Sequence, residues 1–235
     1  MKKRKSFLSL SLMFLAGMFL LTVTNCKKNS DENSTPTPPT SITDIDGNVY
    51  HTVTIGTQVW MVENLKVLRY RNGDPIPNVT DATQRSNLSI GACWWHDNDM
   101  ANKATYVAFY NWYAVSDSRN IAPVGWHVPT DAEWTTLTTF LGGESVAGGK
   151  MKEVGFTHWL SPNTGATNSS GFTALAAGLI INGLFSNLNI SATFWASSQY
   201  DDSYGWSRDL YYTRESVDHS TGGKSDGFSV RCLKD

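Results

Sequence analysis

One short segment of the chain concentrates side chains that could bind a ligand. Cys93 is followed by Trp94, Trp95, His96, Asp97, Asn98 and Asp99, so two indole rings stand beside carboxylates, an amide and an imidazole. Exposed indole faces stack on sugar rings, and carboxylates accept hydrogen bonds from sugar hydroxyl groups or ligate a hard cation such as Ca²⁺. We therefore predict a ligand site that comprises Trp94, Trp95, His96, Asp97 and Asp99. The alternative is a loop that buries its indoles in the core and caps its turn with Asp and Asn.

A second acidic segment, Asp44-Ile45-Asp46-Gly47-Asn48, has some likeness to the start of a calcium loop. An EF-hand loop needs glycine at its sixth position and a bidentate glutamate at its twelfth, and counted from Asp44 these positions are Val49 and Ile55. We interpret the segment as a turn. The five histidines include no His-x-x-x-His pair, which gives no support to zinc or non-haem iron. The sequence indicates no cofactor, and Ca²⁺ is without further support.

The sequence contains no recognised set of catalytic residues. It lacks a Gly-x-Ser-x-Gly elbow, a P-loop and a dinucleotide-binding glycine fingerprint. No spacing singles out two of the 21 acidic residues as a glycosidase pair. We therefore expect a protein that is not an enzyme, while the action of paired carboxylates on a polysaccharide stays open as the alternative.

Apolar and turn residues indicate which elements would position these side chains. The strand-forming residues 49–55 and 58–62 flank Gly56-Thr57 and predict a β-hairpin. The spacing of aromatic residues over 105–115 predicts one helix, and residues 76–90 read as a loop. Thr130 and Glu133 predict a capping box that opens a second helix, with Trp134, Leu137 and Leu141 on its apolar face and its end at Gly142-Gly143. Short strands are predicted at 172–180, 193–198, 205–212 and 227–233. This pattern indicates an α+β fold with an antiparallel sheet, in one domain.

The first 41 residues have the composition of an export signal and a polar linker rather than of a folded domain. Residues 2–5 are basic, residues 7–23 are apolar, and Cys26 follows. Val23-Thr24-Asn25-Cys26 resembles the lipobox of bacterial lipoproteins, in which the cysteine becomes the lipidated first residue. We therefore predict a signal peptide at 1–25, a lipidated Cys26 that begins a polar Pro/Thr tether at 26–41, and a globular domain at 42–235. An uncleaved membrane anchor is the alternative for the apolar run.

Two cysteines remain after Cys26. Outside the cytoplasm Cys93 and Cys232 could form a disulfide, which would close a loop of more than a hundred residues and stabilise the fold by ~4–5 kcal/mol on the chain-entropy model. The alternative is a pair of buried free thiols.

Six ordered motifs carry a family resemblance that covers residues 42–235. They are Asp44–Tyr50, Ile55–Leu65, Tyr110–Val115, Pro123–Trp134, Gly171–Leu175 and Gly227–Cys232. In this order they resemble the Fibrobacter succinogenes major paralogous domain, a family found mostly in exported or surface lipoproteins of Bacteroidetes and Fibrobacteres. Residues 126–134 and 227–232 are also similar to formylglycine-generating-enzyme-like and C-type-lectin-like domains. The resemblance implies a C-type-lectin-like fold with small twisted antiparallel sheets, two main helices and long loops. The sequence lacks the paired redox cysteines and the histidine cluster of the enzymes that have this fold.

The charge balance and the predicted lipoprotein signal together define the expected partners. Without residues 1–25 the chain has 15 basic and 21 acidic side chains, a net charge of −6 that disfavours nucleic acid as a partner. We expect a protein attached to the membrane by its lipid, at the outer membrane or cell surface, that binds a glycan or another surface protein. A structural envelope scaffold is the third hypothesis, and the sequence gives no oligomeric state.

Overall fold

The computed structural model describes residues 41–99, 102, 105, 106 and 108–235. The predicted signal peptide, Cys26 and the tether up to residue 40 therefore lie outside the described residues. The strands are β1 (Ser41–Thr43), β2 (Val49–Ile55), β3 (Gln58–Met61), β4 (Cys93–Trp94), β5 (Phe109–Tyr110), β6 (Trp126–His127), β7 (Leu179–Ile181), β8 (Leu184–Ser186), β9 (Ser191–Gln199), β10 (Tyr204–Tyr211), β11 (Val217–Gly223) and β12 (Leu233–Lys234). The α-helices described here are α1 (Ala82–Ser86), α2 (Trp112–Val115), α3 (Asp131–Phe140) and α4 (Glu144–Met151).

The main sheet has five strands in the order β1-β2-β3-β12-β6, and its paired strands run antiparallel. The predicted hairpin is confirmed as β2 and β3, with Ile55 opposite Gln58 across the turn. The strand latest in sequence, β12, lies inside the sheet, because Leu233 pairs with Trp60 of β3 and with His127 of β6. A second sheet of order β11-β10-β9 confirms the strands predicted at 193–198 and 205–212. The fold is therefore α+β with antiparallel sheets.

Helix α3 begins and packs as its sequence predicts. The Thr130 hydroxyl accepts a hydrogen bond from the Glu133 backbone N–H, and the Glu133 carboxylate accepts one from the Thr130 N–H at 2.7 Å. Its predicted apolar face is buried, with Trp134 and Leu137 fully inaccessible and Leu141 5% exposed. This face packs on a core of aromatic rings that includes Trp60, Phe172 and Phe194.

His127 ties the start of α3 to the end of β12. Its Nε2 lies 3.0 Å from Glu133 Oε1 and its Nδ1 lies 2.6 Å from Asp235 Oδ1. Burial lowers the pKa of His127, but hydrogen bonds to Asp235 and Glu133 more than offset this effect and raise the pKa above 6.5. His127 is therefore a structural imidazole that holds two acidic groups together.

The single helix predicted over 105–115 is wrong. Phe109–Tyr110 forms strand β5, in which Tyr110 pairs with Cys93 and also bridges to Phe228. The helical turn α2 starts only after Asn111, whose side-chain oxygen accepts a hydrogen bond from the Ala114 N–H. The aromatic stripe was mistaken for a helix because both faces of this short strand are buried.

Candidate functional site

The structure buries part of the site predicted at 94–99. Trp94 is fully inaccessible, and its indole Nε1 donates a hydrogen bond to the Val79 carbonyl at 2.7 Å. The prediction that Trp94 offers a stacking face to a sugar is therefore wrong, because its ring belongs to a small core cluster with Phe109 and Ile180. Trp95 is half-buried.

The residues after Trp95 form a short 3-10 turn that is anchored by its imidazole. His96 is 5% exposed and lies between the rings of Phe109 and Phe185, with centroid distances of 6.2 and 5.2 Å. Asp97 and Asp99 are exposed, and Asp97 Oδ2 lies 3.1 Å from His96 Nδ1. No group of three residues able to ligate a metal occurs among the described residues. The burial of Trp94 and His96 favours the alternative of a self-anchoring loop.

The predicted disulfide is not formed. Cys93 and Cys232 are not joined to each other, and both are buried in the core cluster that contains Tyr110. Burial raises the pKa of the Cys232 thiol well above its usual value. The chain uses these thiols as apolar packing groups, as the alternative interpretation had it.

The Asp44 segment is a turn, as predicted. The Asp44 carboxylate accepts hydrogen bonds from the backbone N–H groups of Asp46 and Asn48, from the Asn48 amide and from the Tyr50 hydroxyl. These four donors use the lone pairs that a cation would need. Gly47 has φ +82°, a left-handed conformation that glycine adopts without steric cost.

A pocket of about 260 Å³ brings together side chains that lie far apart in the sequence. We call it the glutamate pocket; it is lined by Val62, Glu63, Asn64, Lys66, Thr105, Glu153, His158, Thr173, Leu175 and Arg231. Its lining combines carboxylates, an amide, hydroxyl groups and cations with two aliphatic side chains. A concave site with a few convergent polar groups is the usual form of a ligand-binding pocket.

Arg231 forms the fixed floor of the glutamate pocket. Its side chain is fully buried and stacks on the Phe172 ring, with the guanidinium carbon 4.2 Å from the ring centroid. Its Nε and Nη2 donate to the Asn64 Oδ1 at 3.1 and 2.7 Å, and its Nη1 donates to the carbonyls of Met61 and Phe172. Burial lowers the pKa of Arg231 to about 9. This network joins segments more than 150 residues apart and holds Asn64 in one orientation.

Two glutamates stand on the walls of the pocket, and each is oriented by a histidine. Glu63 accepts a hydrogen bond from the His51 backbone N–H at 2.7 Å, and its Oε1 lies 2.6 Å from His51 Nδ1. Glu153 places both carboxylate oxygens within 3.0 Å of His158 Nδ1. These contacts fix the direction of both carboxylates before any ligand arrives.

Thr173 contributes a strained residue to the pocket wall. It has φ +55°, which is a genuine outlier for a β-branched residue. The Asn168 side chain holds it there, since its Oδ1 accepts a hydrogen bond from the Thr173 N–H and its amide donates to Oγ1, both at 2.9 Å. Backbone strain of this kind costs of order 1–3 kcal/mol and concentrates at functional sites.

The loop that carries Glu153 and His158 also presents exposed apolar side chains. Val154 is 58% exposed and Phe156 is 63% exposed. The loop is closed by the Glu153–His158 contact and by the Asn163 amide, which donates to the carbonyls of Glu153 and Gly155 at 2.9 Å. The exposed Phe156 ring therefore lies on a braced loop, three residues after Glu153 and two before His158, both of which line the pocket.

Sequence reasoning missed this pocket. Its polar residues come from the segment after β3, from Thr105, from the loops at 153–158 and 172–175, and from the segment before β12. No local spacing in the sequence therefore indicates them. One usable indication was present, because Glu63-Asn64 and Arg231 both fall within motifs of the family resemblance.

The fold and pocket together define an α+β protein with a preformed polar site. The family described as the Fibrobacter succinogenes major domain matches residues 53–234, and the chain belongs to this family. The resemblance of the sequence to this family is thereby confirmed, although membership assigns neither a reaction nor a ligand. No curated protein and no solved structure shows significant similarity to the chain. Within the described part of 41–235, no helix is long and apolar enough to span a membrane.

Proposed function

We propose that the chain is a lipid-anchored envelope protein whose domain, of C-type-lectin-like architecture, binds an extracellular glycan in the glutamate pocket without transforming it. The observation that carries the proposal is the strained Thr173 beside two braced carboxylates, with the exposed Phe156 on the loop that supplies one of them. Strain that the surrounding structure maintains indicates a preorganised site rather than an incidental cleft.

The chemistry of the pocket suits a neutral sugar. Carboxylate and amide oxygens accept hydrogen bonds from sugar hydroxyl groups, while the Lys66 ammonium and the Thr173 hydroxyl can donate to ring and hydroxyl oxygens. The formal charges of Glu63 and Glu153 are matched by those of Lys66 and Arg231, so the pocket does not select for a charged ligand. The Phe156 ring offers a flat apolar face to the C–H face of a sugar.

The direct test measures the binding of the full chain in detergent micelles to neutral oligosaccharides by calorimetry. Phe156→Ala is expected to weaken binding about 2–10-fold, because stacking on an aromatic face contributes ~0.5–1.5 kcal/mol. Phe140→Ala is the matched control, since Phe140 is also 63% exposed but lies on α3 and not on the loop that carries Glu153 and His158. Glu153→Gln is expected to weaken binding at least about tenfold, because it removes a charge-assisted acceptor.

Equal affinities of the wild type, Phe156→Ala and Glu153→Gln would refute binding in this pocket. The ligand would instead be a surface protein if the wild type binds no oligosaccharide but captures an envelope protein, and if Phe156→Ala and Glu153→Gln abolish that capture.

A second candidate function follows from one observation, namely that Glu63 and Glu153 line the same pocket. Paired carboxylates hydrolyse glycosides when one protonates the leaving oxygen and the other attacks or activates water. Turnover of a polysaccharide panel by the wild type, lost in both Glu63→Gln and Glu153→Gln, would replace the binding proposal with this one.

The membrane attachment is a separate part of the proposal. It is supported by the basic, apolar and Cys26 pattern at the start of the chain and by the polar tether that follows. Intact-mass measurement should show an acylated residue 26 in the membrane fraction, and Cys26→Ser should release the protein. An unmodified thiol at this position would refute the anchor.

A further inference from the structure

A second, more open groove lies beside the β9–β10 hairpin and shares no residue with the glutamate pocket. We call it the Lys224 groove; its volume is about 350 Å³ and it is lined by Ser86, Asn87, Leu88, Ser89, Tyr113, Asp202, Ser203, Tyr204, Gly223, Lys224 and Ser225. Hydroxyl groups dominate this lining, and Tyr204, which is 45% exposed, offers an aromatic face. The groove therefore carries the same polar and aromatic chemistry that sugars need, and its charged residues are Asp202 and Lys224.

Lys224 is held in one place at this groove. Its side chain is 8% exposed, its backbone N–H donates to the Ser203 carbonyl at 3.0 Å, and its carbonyl accepts from the Trp112 N–H at 3.0 Å. Its Nζ donates to the Asp202 carbonyl at 3.0 Å and lies 4.6 Å from the centroid of the Trp112 ring. The ammonium is thus a fixed charge and not a freely moving surface lysine.

The Lys224 ammonium is only partly satisfied by the protein. An ammonium has three N–H donors, and a single described acceptor, the Asp202 carbonyl, takes one from Lys224. Lys152 provides the comparison: it is fully buried, and its Nζ donates to three carbonyls, those of Thr164, Tyr211 and Arg214, at 2.8 to 3.0 Å. At Lys152 the protein fills all three donors, whereas at Lys224 two donors are left for another acceptor.

The acidic residues at the groove are not paired with this ammonium. Asp202 lines the groove, but its backbone carbonyl and not its carboxylate accepts the hydrogen bond from Lys224. Asp201 accepts hydrogen bonds from the backbone N–H groups of Ser203 and Tyr204, which shape the hairpin tip. Asp226 accepts from the N–H groups of Gly223 and Asn182. Among the described residues, no carboxylate forms an ion pair with Lys224. A nearly buried ammonium without a counter-charge favours an anionic ligand.

We propose that the Lys224 groove binds the oxyanion of an acidic sugar, with the Lys224 ammonium on the carboxylate and the surrounding hydroxyl groups on the sugar ring. This site stands independently of the glutamate pocket. It would give the domain a second specificity, for glycans that carry uronic acid residues.

The test measures the binding of the full chain to a galacturonic acid tetrasaccharide and to its neutral methyl ester. Lys224→Met is expected to weaken binding of the acid about tenfold or more and to leave the ester unchanged, because it removes a charge-assisted donor. Lys234→Met is the control, since Lys234 is an exposed lysine on β12 outside the groove. Binding of the acid by the wild type should also weaken as salt rises from 50 to 300 mM (roughly a twofold change in screening length).

A second variant protects the test against loss of the fold. Ser225→Asp places a carboxylate at the half-exposed edge of the groove and leaves Lys224 and its packing in place. It is expected to abolish binding of the acid at an unchanged melting temperature. A sulfated glucan tetrasaccharide, compared with the galacturonic acid compound, shows whether the oxyanion is a sulfate instead of a carboxylate.

Several outcomes would overturn the proposal. If folded Lys224→Met and Ser225→Asp both bind the acid as the wild type does, Lys224 is a structural tie between the hairpin and Trp112. If binding of the acid is lost in Glu153→Gln instead, the acid occupies the glutamate pocket. Weaker acid binding in Lys224→Met, with neutral binding intact there and weakened in Phe156→Ala, would support both sites separately.

Discussion

Replacement of the buried arginine beneath the glutamate pocket should destabilise the whole domain. Arg231→Met removes four donated hydrogen bonds and leaves the Asn64 oxygen and the carbonyls of Met61 and Phe172 without these donors. Hydrogen bonds to a charged group are worth about 1.5–3 kcal/mol each, while relief of the desolvated guanidinium returns several kcal/mol. We expect a net loss of ~3–5 kcal/mol in the free energy of unfolding, because three buried acceptors lose their donor at about 1–3 kcal/mol each.

The assay is thermal and urea unfolding, followed by circular dichroism. A loss of this size should lower the melting temperature by about 6–20 °C for a domain of this length. Arg69→Met is the control, because Arg69 forms an exposed ion pair with Asp46 that is worth ~1 kcal/mol or less. If Arg231→Met melted within 2 °C of the wild type, or no lower than Arg69→Met, the guanidinium network would not be what holds these segments together.

Two further predictions concern a glycine in helix α4 and the imidazole that contacts the start of helix α3. Gly148→Ala should destabilise the domain by ~1–2 kcal/mol, because the added Cβ would lie 2.4 Å from the Ser216 carbonyl oxygen. This clash outweighs the ~1 kcal/mol by which alanine favours a helix over glycine. Urea unfolding measures the loss, and the control is Ser145→Ala at an exposed position of the same helix, which should be neutral or stabilising. The stability that comes from the raised pKa of His127 should be complete below pH 6.5 and lost as the pH rises through the folded pKa. The gap in melting temperature between wild type and His127→Gln should therefore shrink from pH 6 to pH 8.5, and a constant gap would contradict it.

Local chemistry made some elements predictable and left others hidden. The capping box at Thr130 and the hairpin around Gly56-Thr57 are decided by a few adjacent residues, and both were correct. Helix α4 was missed because it contains Gly148 and Gly149, which disfavour a helix and are present because the helix passes close to the backbone at 215–216 and at Gly165. Strand β11 was missed because Val217–Gly223 is mostly polar and glycine, and its pairing with β10 overrides that composition.

The sites, like the helices and strands, were predictable only where adjacent residues decide the structure. The segment at 94–99 was rich in binding chemistry, but whether Trp94 faces solvent depends on what packs over it, and that information lies in Phe109 and Ile180. The Lys224 groove shows the reverse case. Lys224 has no distinctive sequence context, and its importance is visible only when its single acceptor is compared with the three that surround Lys152.

The central place of β12 constrains when this domain can fold. Leu233 fills the gap between β3 and β6, so residues 41–128 cannot complete their sheet until residue 234 has emerged. The pairs that β12 makes with β3 and β6 therefore form last, once residues 233 and 234 are available. If the chain is exported as proposed, it would cross the membrane before this sheet can close.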